Sequence, residues 1–131
     1  YDPHGNMTAV IQQIDDNTSA VTSYTYDSSD NMIKSTDPMG NSTTYTYDHV
    51  GNVLTKTDAL NNTTKYSYDL RGRLKEIKLA DGSTTFLTYD NANNIIKTTD
   101  AMGNVINYEF DIKNNCVQVR DGYGIVVEKT T

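Results

Sequence analysis

Segments such as TTYTYD (Thr43 to Asp48), TKYSYD (Thr64 to Asp69) and TTFLTYD (Thr84 to Asp90) place threonine or serine between tyrosine, phenylalanine or leucine. They take turns with segments such as NMIKSTD and NVLTKTD. Helix-period apolar stripes are absent, and Thr, Tyr, Val and Ile suit a pleated, half-buried surface. The pattern predicts strands of roughly six or seven residues, each followed by a turn of about four. Two columns of turn residues punctuate the strands. The first is Gly5-Asn6, Asp30-Asn31, Gly51-Asn52, Gly72-Arg73, Asn93-Asn94 and Asn114-Asn115; the second is Gly40-Asn41, Asn61-Asn62, Gly82-Ser83 and Gly103-Asn104. Such residues accept positive φ or bond their own backbone.

The same columns reveal a repeat. Tyr-Asp stands at Tyr1, Tyr26, Tyr47, Tyr68 and Tyr89, with Phe110-Asp111 as the sixth instance, and the last four intervals are each 21 residues. The first interval is 25, because VIQQIDDNTSAVTS (Val10 to Ser23) carries four extra residues. A period of this size signals a repeat architecture. Two turns per period make each unit a β-hairpin, so residues 1–131 read as one array with units starting near 1, 26, 47, 68, 89 and 110. The expected fold is all-β, an antiparallel meander of some eleven strands. A parallel β-helix with one coil per period is the competing architecture, and turn columns half a period apart favour hairpins.

Tyrosine placement sharpens the reading. Tyr24, Tyr26, Tyr45, Tyr47, Tyr66, Tyr68, Tyr89 and Tyr108 all lie at the Tyr-Asp column or two residues before it. Residues two apart on a strand share a face, so these tyrosines form an aromatic row on every second strand. The intervening strands are less regular. Met7, Met32, Val53, Leu74, Ile95 and Cys116 make one apolar column, yet Ile33, Leu54, Ile96 and Val117, one residue later, are apolar too. Either both faces are partly covered or a bulge after the first turn re-aims the strand.

Composition narrows the function classes. Hydrophobic residues make up 36% of the chain, which is lean for a compact globule and natural for units that contact mainly their neighbours. A net charge of -6 sets the long-range field against nucleic acid and anionic lipid. No apolar run is long enough for membrane insertion or a signal peptide. The chain opens in mid-motif at Tyr1 and reads as a piece of a longer polypeptide. Its single cysteine, Cys116, excludes an internal disulfide.

Candidate chemistry is sparse. Asp2, Asp27, Asp48, Asp69, Asp90 and Asp111 could form a cation ladder, but equivalent strands lie roughly 9.5 Å apart, where repulsion is weak and needs no bound ion. Capping of turn amides by these carboxylates is the expected role. Tyrosine rows could stack on sugar rings; a feature present in every unit reads first as scaffold. His4 and His49 sit in turns without partners for a triad or a zinc site, and Cys116 replaces an aliphatic residue in its column. No catalytic, metal or cofactor-binding residues are expected, and the chain reads as a non-enzyme.

The pattern Tyr-Asp-x-x-Gly-Asn-x-x-x-x-Thr-Asp-x-x-Gly-Asn-x-Thr-x-Tyr-x-Tyr-Asp, legible almost whole in residues 26–48, resembles the YD repeat of the Rhs family. That family includes polymorphic toxin shells, shell components of insecticidal toxin complexes, wall-associated proteins and teneurins. The resemblance extends over essentially the whole chain; Asp30, Asn93, Arg73 and Leu79 are local departures. It implies a curved section of a secreted or cell-surface shell that encloses or presents a toxin or other domain, with flanking repeats as partners. It carries over as scaffold residues: the tyrosine rows, and the turn positions Gly5, Asn6, Gly40, Asn41, Gly51, Asn52, Gly72, Gly82, Gly103 and Asn104. An extracellular module binding glycans or a protein is the alternative. Edge-to-edge self-association is expected near YDPHGNMTAV and GIVVEKTT, where terminal strands would present unpaired amides.

Overall fold

The computed structural model describes residues 1–129. They form twelve strands: β1 (Ala9–Asp15), β2 (Thr18–Tyr26), β3 (Met32–Thr36), β4 (Ser42–Tyr47), β5 (Val53–Thr57), β6 (Thr63–Tyr68), β7 (Leu74–Lys78), β8 (Thr84–Tyr89), β9 (Ile95–Thr99), β10 (Val105–Phe110), β11 (Cys116–Asp121) and β12 (Val126–Lys129). Strand order is chain order, an antiparallel meander. The β-helix alternative is therefore set aside. The twelfth strand follows from a turn that sequence periodicity implies but the two-residue signature conceals. Gly124, 21 positions after Gly103, has φ 83°, and the Asp121 carboxylate accepts the Tyr123 and Ile125 amides, which sends the chain back as β12. Thr130 and Thr131, the end of the GIVVEKTT stretch, lie outside the described residues.

Two compact units divide the chain, Tyr1–Lys65 and the residues from Tyr66 on. In the first, β4 pairs with β5 from Thr44↔Thr57 to Tyr47↔Val53, and β5 pairs with β6 from Thr55↔Lys65 to Thr57↔Thr63. The second repeats this arrangement, with β8 on β9 from Phe86↔Thr99 to Tyr89↔Ile95, and β9 on β10 from Thr99↔Val105 to Lys97↔Asn107.

A bulge resolves the doubled apolar column. Thr46 pairs with Thr55 while Tyr47 pairs with Val53, so Leu54 is the extra residue. Ile33, Ile96 and Val117 are skipped in the same way opposite Tyr26, Tyr89 and Phe110. Two apolar residues thus oppose one aromatic, which is why both positions are apolar.

Among the described residues no side chain, apolar or polar, is fully buried. Tyr24, Tyr45, Tyr66, Tyr68, Tyr89 and Tyr108 are half-buried on their strands. Hydroxyl pairs knit strands together within the first unit: Thr46 with Thr55 at 2.7 Å, Thr57 with Thr63 at 2.9 Å and Thr36 with Ser42 at 2.9 Å. Backbone ladders and cross-strand pairs of this kind hold such a sheet, each pair contributing ~0.2–1 kcal/mol.

Candidate functional site

The repeated chemistry of the molecule is a five-residue turn. At Asp48 the backbone amide donates to the Asn52 carbonyl at 2.9 Å, and the Gly51 amide returns to the Asp48 carbonyl at 3.2 Å. The Asp48 carboxylate fills the loop: Oδ1 accepts the Val50 and Asn52 amides at 3.0 and 2.9 Å, and Oδ2 accepts Asn52 Nδ2 at 2.9 Å. Asp2, Asp27, Asp90 and Asp111 repeat the arrangement on Asn6, Asn31, Asn94 and Asn115. Asp69 accepts Arg73 Nε at 2.7 Å in place of the asparagine amide. Capping reaches both two and four residues ahead.

The second column uses the same device. Asp37, Asp58 and Asp100 hold Asn41, Asn62 and Asn104 through amide and side chain. At Leu79 the carboxylate is missing, yet the backbone frame persists, with Leu79 N to Ser83 O at 2.8 Å; Asp81 Oδ1 takes the Ser83 amide at 2.8 Å instead. These hydrogen bonds set the electrostatics. The Asn41 side chain, then its amide, holds the Asp37 carboxyl below the ordinary aspartate range, against an opposing desolvation effect.

Glycine supplies the positive φ of most turns, Gly40 at 87° and Gly51 at 90° among them; Gly5, Gly72, Gly82 and Gly103 share it. Asp30, Asn61, Asn93 and Asn114 adopt the same region without being glycine, at φ 63° to 70°. In the first column these departures carry a second function. Asp30 Oδ1 accepts His4 Nδ1 and Asn6 Nδ2, both at 2.7 Å; Asn93 Oδ1 accepts Arg73 Nη1 at 2.9 Å; Asn114 Oδ1 accepts Asn94 Nδ2 at 3.2 Å. Each replacement staples its turn to the turn one repeat earlier. Arg73 adds a bond to the Asp90 carbonyl at 2.8 Å and lies 4.6 Å over the Tyr89 ring. Sequence columns show the departures but not their partners, which are neighbours only across the sheet.

The Tyr-Asp tyrosines likewise tie successive repeats. Tyr26, Tyr47 and Tyr89 donate their hydroxyls to the carbonyls of Met7, Met32 and Leu74 at 2.9, 2.7 and 2.7 Å. The acceptor is in every case the apolar-column residue of the preceding unit. Phe110 stands at the same position and has no hydroxyl to offer Ile95. Phe110 and Ile95 border an open groove of about 640 Å³ with Tyr108, Cys116, Val119 and Glu128. Burial, followed by the charges of Tyr45 and Asp27, raises the Tyr47 hydroxyl above its ordinary value.

His4 belongs to the first staple; His49 lines an open groove of the first unit beside Asp27, Tyr45 and Tyr47. Cys116 is a half-buried free thiol on β11. No cluster of three metal-ligating side chains occurs among the described residues. Asp48, like its counterparts, spends three acceptor positions on its own turn, an arrangement that fixes the turn, and the staples join it to its neighbours.

Antiparallel hairpins, a carboxylate-capped turn at each end and a tyrosine tie to the previous unit together define a hairpin-repeat sheet. The RHS Repeat family model matches residues 1–38, 26–63 and 47–84, and the chain belongs to that family. Among solved structures, a chain of the Photorhabdus luminescens Tc holotoxin pore is similar at 20% identity and TM-score 0.67, covering 79% of this chain and 5% of that one. The TcdB2-TccC3 crystal structure gives 19% identity and TM-score 0.70, over 81% of this chain and 6% of the other. A TcdB2-TccC3-Cdc42 crystal structure aligns at 19% identity with TM-score 0.69, over 80% and 6%. These likenesses establish the fold; the chain spans about a twentieth of each relative. No curated protein matches the chain.

Proposed function

We propose that this chain is a structural wall segment of a secreted or surface Rhs-repeat shell, which encloses or presents another domain of its polypeptide and performs no catalysis itself. The observation that carries this reading is the tie made by successive repeats: the Tyr47 hydroxyl on Met32 and the Tyr89 hydroxyl on Leu74 are the same bond in two places. A surface spent on joining one unit to the next is a wall before it is a binding site. Relatives of the same fold occur in toxin complexes, which supports an enclosed toxin as the cargo class.

Protease protection tests the reading. In the full-length polypeptide, deleting one 21-residue period, residues 48–68, shortens the sheet by one hairpin while keeping its alternation. An enclosed domain then becomes cleavable where it was resistant. Unchanged protection, together with micromolar glycan binding that is lost on replacing Tyr45 and Tyr66, would favour the module that binds sugars.

A further inference from the structure

The first hairpin breaks the period, and the wall reading gives its extra length no role. β1 has seven residues and β2 nine, against five or six in β3 to β11. β2 pairs with β1 from Thr18 to Ser23, whereas its pairing with β3 begins only at Ser23↔Thr36. Past Thr36 the chain leaves through the Asp37–Asn41 turn, where Pro38 brings no N–H. The end of the hairpin therefore runs on beyond its neighbour.

Register identifies which groups this leaves open. The Tyr24 amide donates to the Thr8 carbonyl, so Thr8 and Tyr24 are a hydrogen-bonded pair. Antiparallel ladders alternate, which aims the main-chain groups of Thr22 and Ala20 at β1 and those of Ser19 and Val21 the other way. No described strand pairs with Ser19 or Val21 on that side. Exposed apolar side chains flank this edge. Ile11 and Val21 are a cross-strand pair, 67% and 41% exposed, and Ile14 is 64% exposed. Lysine, arginine and proline, the residues that guard exposed edges, are absent from Ala9 to Tyr26, and the tip carries Asp15 and Asp16.

We propose that the Ser19–Val21 edge of β2 is a docking site for an extended segment of another polypeptide, which adds there as a short strand. Only an extended chain presents amides and carbonyls at the spacing that two outward-facing residues demand. The partner carries aliphatic or β-branched residues at alternate positions, to lie against Val21 and Ile11, and a lysine or arginine at the end nearest Asp15 and Asp16. The site lies within the chain and is independent of the wall reading, which its failure would leave untouched.

Residue-resolved hydrogen exchange by NMR tests the proposal, with the blocked peptide Lys-Thr-Val-Thr-Val-Thr at millimolar concentration as probe. In the free protein, Ala20 and Thr22 amides exchange slowly and Ser19 and Val21 amides quickly. Peptide slows Ser19 and Val21 by about tenfold or more and leaves Ala20 and Thr22 unchanged. Val21→Pro, which removes an outward N–H and spares the β1 ladder, abolishes the effect at Ser19. Should that variant lose the hairpin, the same peptide with proline at its centre serves as the control and gives no protection. Joint Asp15→Asn and Asp16→Asn replacement weakens the lysine peptide several-fold but not one with threonine in place of lysine. Slow exchange at Ser19 and Val21 before peptide is added, equal protection by the proline peptide, or protection confined to other strands would overturn the proposal.

Discussion

Restoring the missing hydroxyl at Phe110 is the most direct perturbation of the repeat-to-repeat tie. Tyr47 and Tyr89 each reach a carbonyl of the preceding unit at 2.7 Å, the usual length for a hydroxyl donor. Phe110 occupies the equivalent place on β10, opposite Cys116 across the same bulge, and lines an open groove with Ile95. Phe110→Tyr is thus expected to add one hydrogen bond without displacing packed atoms. A net intramolecular hydrogen bond contributes about 0.5–1.5 kcal/mol, and the open groove beside Ile95 puts the gain at the lower end, near 0.5–1 kcal/mol. For a chain of this size that is a rise of roughly 2–4 °C in Tm. Tyr47→Phe and Tyr89→Phe should lose a similar amount, and Tyr45→Phe, whose hydroxyl has no partner among the described residues, should be neutral. Urea melts with an unchanged m-value, read alongside amide exchange in β9 and β10, provide the assay. A neutral Phe110→Tyr beside costly Tyr47→Phe would refute the equivalence of the sites; equal losses at Tyr45 and Tyr47 would refute the hydroxyl argument itself.

Other outcomes follow from the turns. Gly40 has φ 87° with open space around its missing Cβ, so Gly40→Ala should cost about 1–2 kcal/mol in chemical denaturation, purely as backbone strain. Gly51→Asn should cost less, because a Cβ there lies 3.6 Å from Asn31 Oδ1, to which the new side-chain amide can donate, a staple of the reverse direction to that of Asn93; an equal cost would count against the staples. The capped aspartates, with pKa values lowered in the fold, contribute stability that is fully present above the ordinary aspartate range and lost as pH falls from there through the lowered folded values, so thermal melts should drop steeply in acid and Asp37→Asn should flatten that drop. His4, raised by its hydrogen bond to Asp30 and by the charges of Asp30 and Asp2, runs the opposite way. Its staple is strongest below the ordinary histidine value and weakens as pH rises through the elevated one, and an NMR titration of the imidazole in wild type and Asp30→Ala should show the difference.

Much of the fold was legible because its determinants are local. Alternating threonine and tyrosine fixes strand faces within six residues, and the Asp-x-x-Gly-Asn loop closes on itself, so strands and hairpins could be read without knowing any neighbour. Ile33 and Leu54 could not be placed, since a bulge is a statement about register with another strand. Capping by Asp37, Asp58 and Asp100 was within reach: each aspartate lies four residues before an asparagine, the same spacing as Asp48 to Asn52. Staples from Asp30, Asn93 and Asn114 were not, because their partners are 20 to 26 residues away and become neighbours only through pairing. The difference between Tyr47 and Tyr45 was half visible. Position Tyr-Asp keeps an aromatic in all six units, while the position two before it admits Leu87; the ring at the Tyr-Asp position faces the bulge, Phe110 included, and at Tyr26, Tyr47 and Tyr89 its hydroxyl adds the bond to the preceding unit.

The long first hairpin also says how such a sheet can change over evolutionary time. Strand side chains alternate with a period of two, so a single residue inserted within the body of β2 would turn its tyrosines to the wrong face, whereas residues added in pairs at the tip lengthen the ladder and leave every face as it was. Growth by four residues, shared between β1 and β2, leaves Tyr24 and Tyr26 in register with Ser35 and Met32, and the irregularity that remains is absorbed at the tip, where the register shifts past Gln13. Length is therefore free to drift in even steps at a turn and constrained in the body of a strand. In this chain the added surface lies at a hairpin end, while the aromatic seam positions from Tyr26 to Phe110 keep their 21-residue spacing.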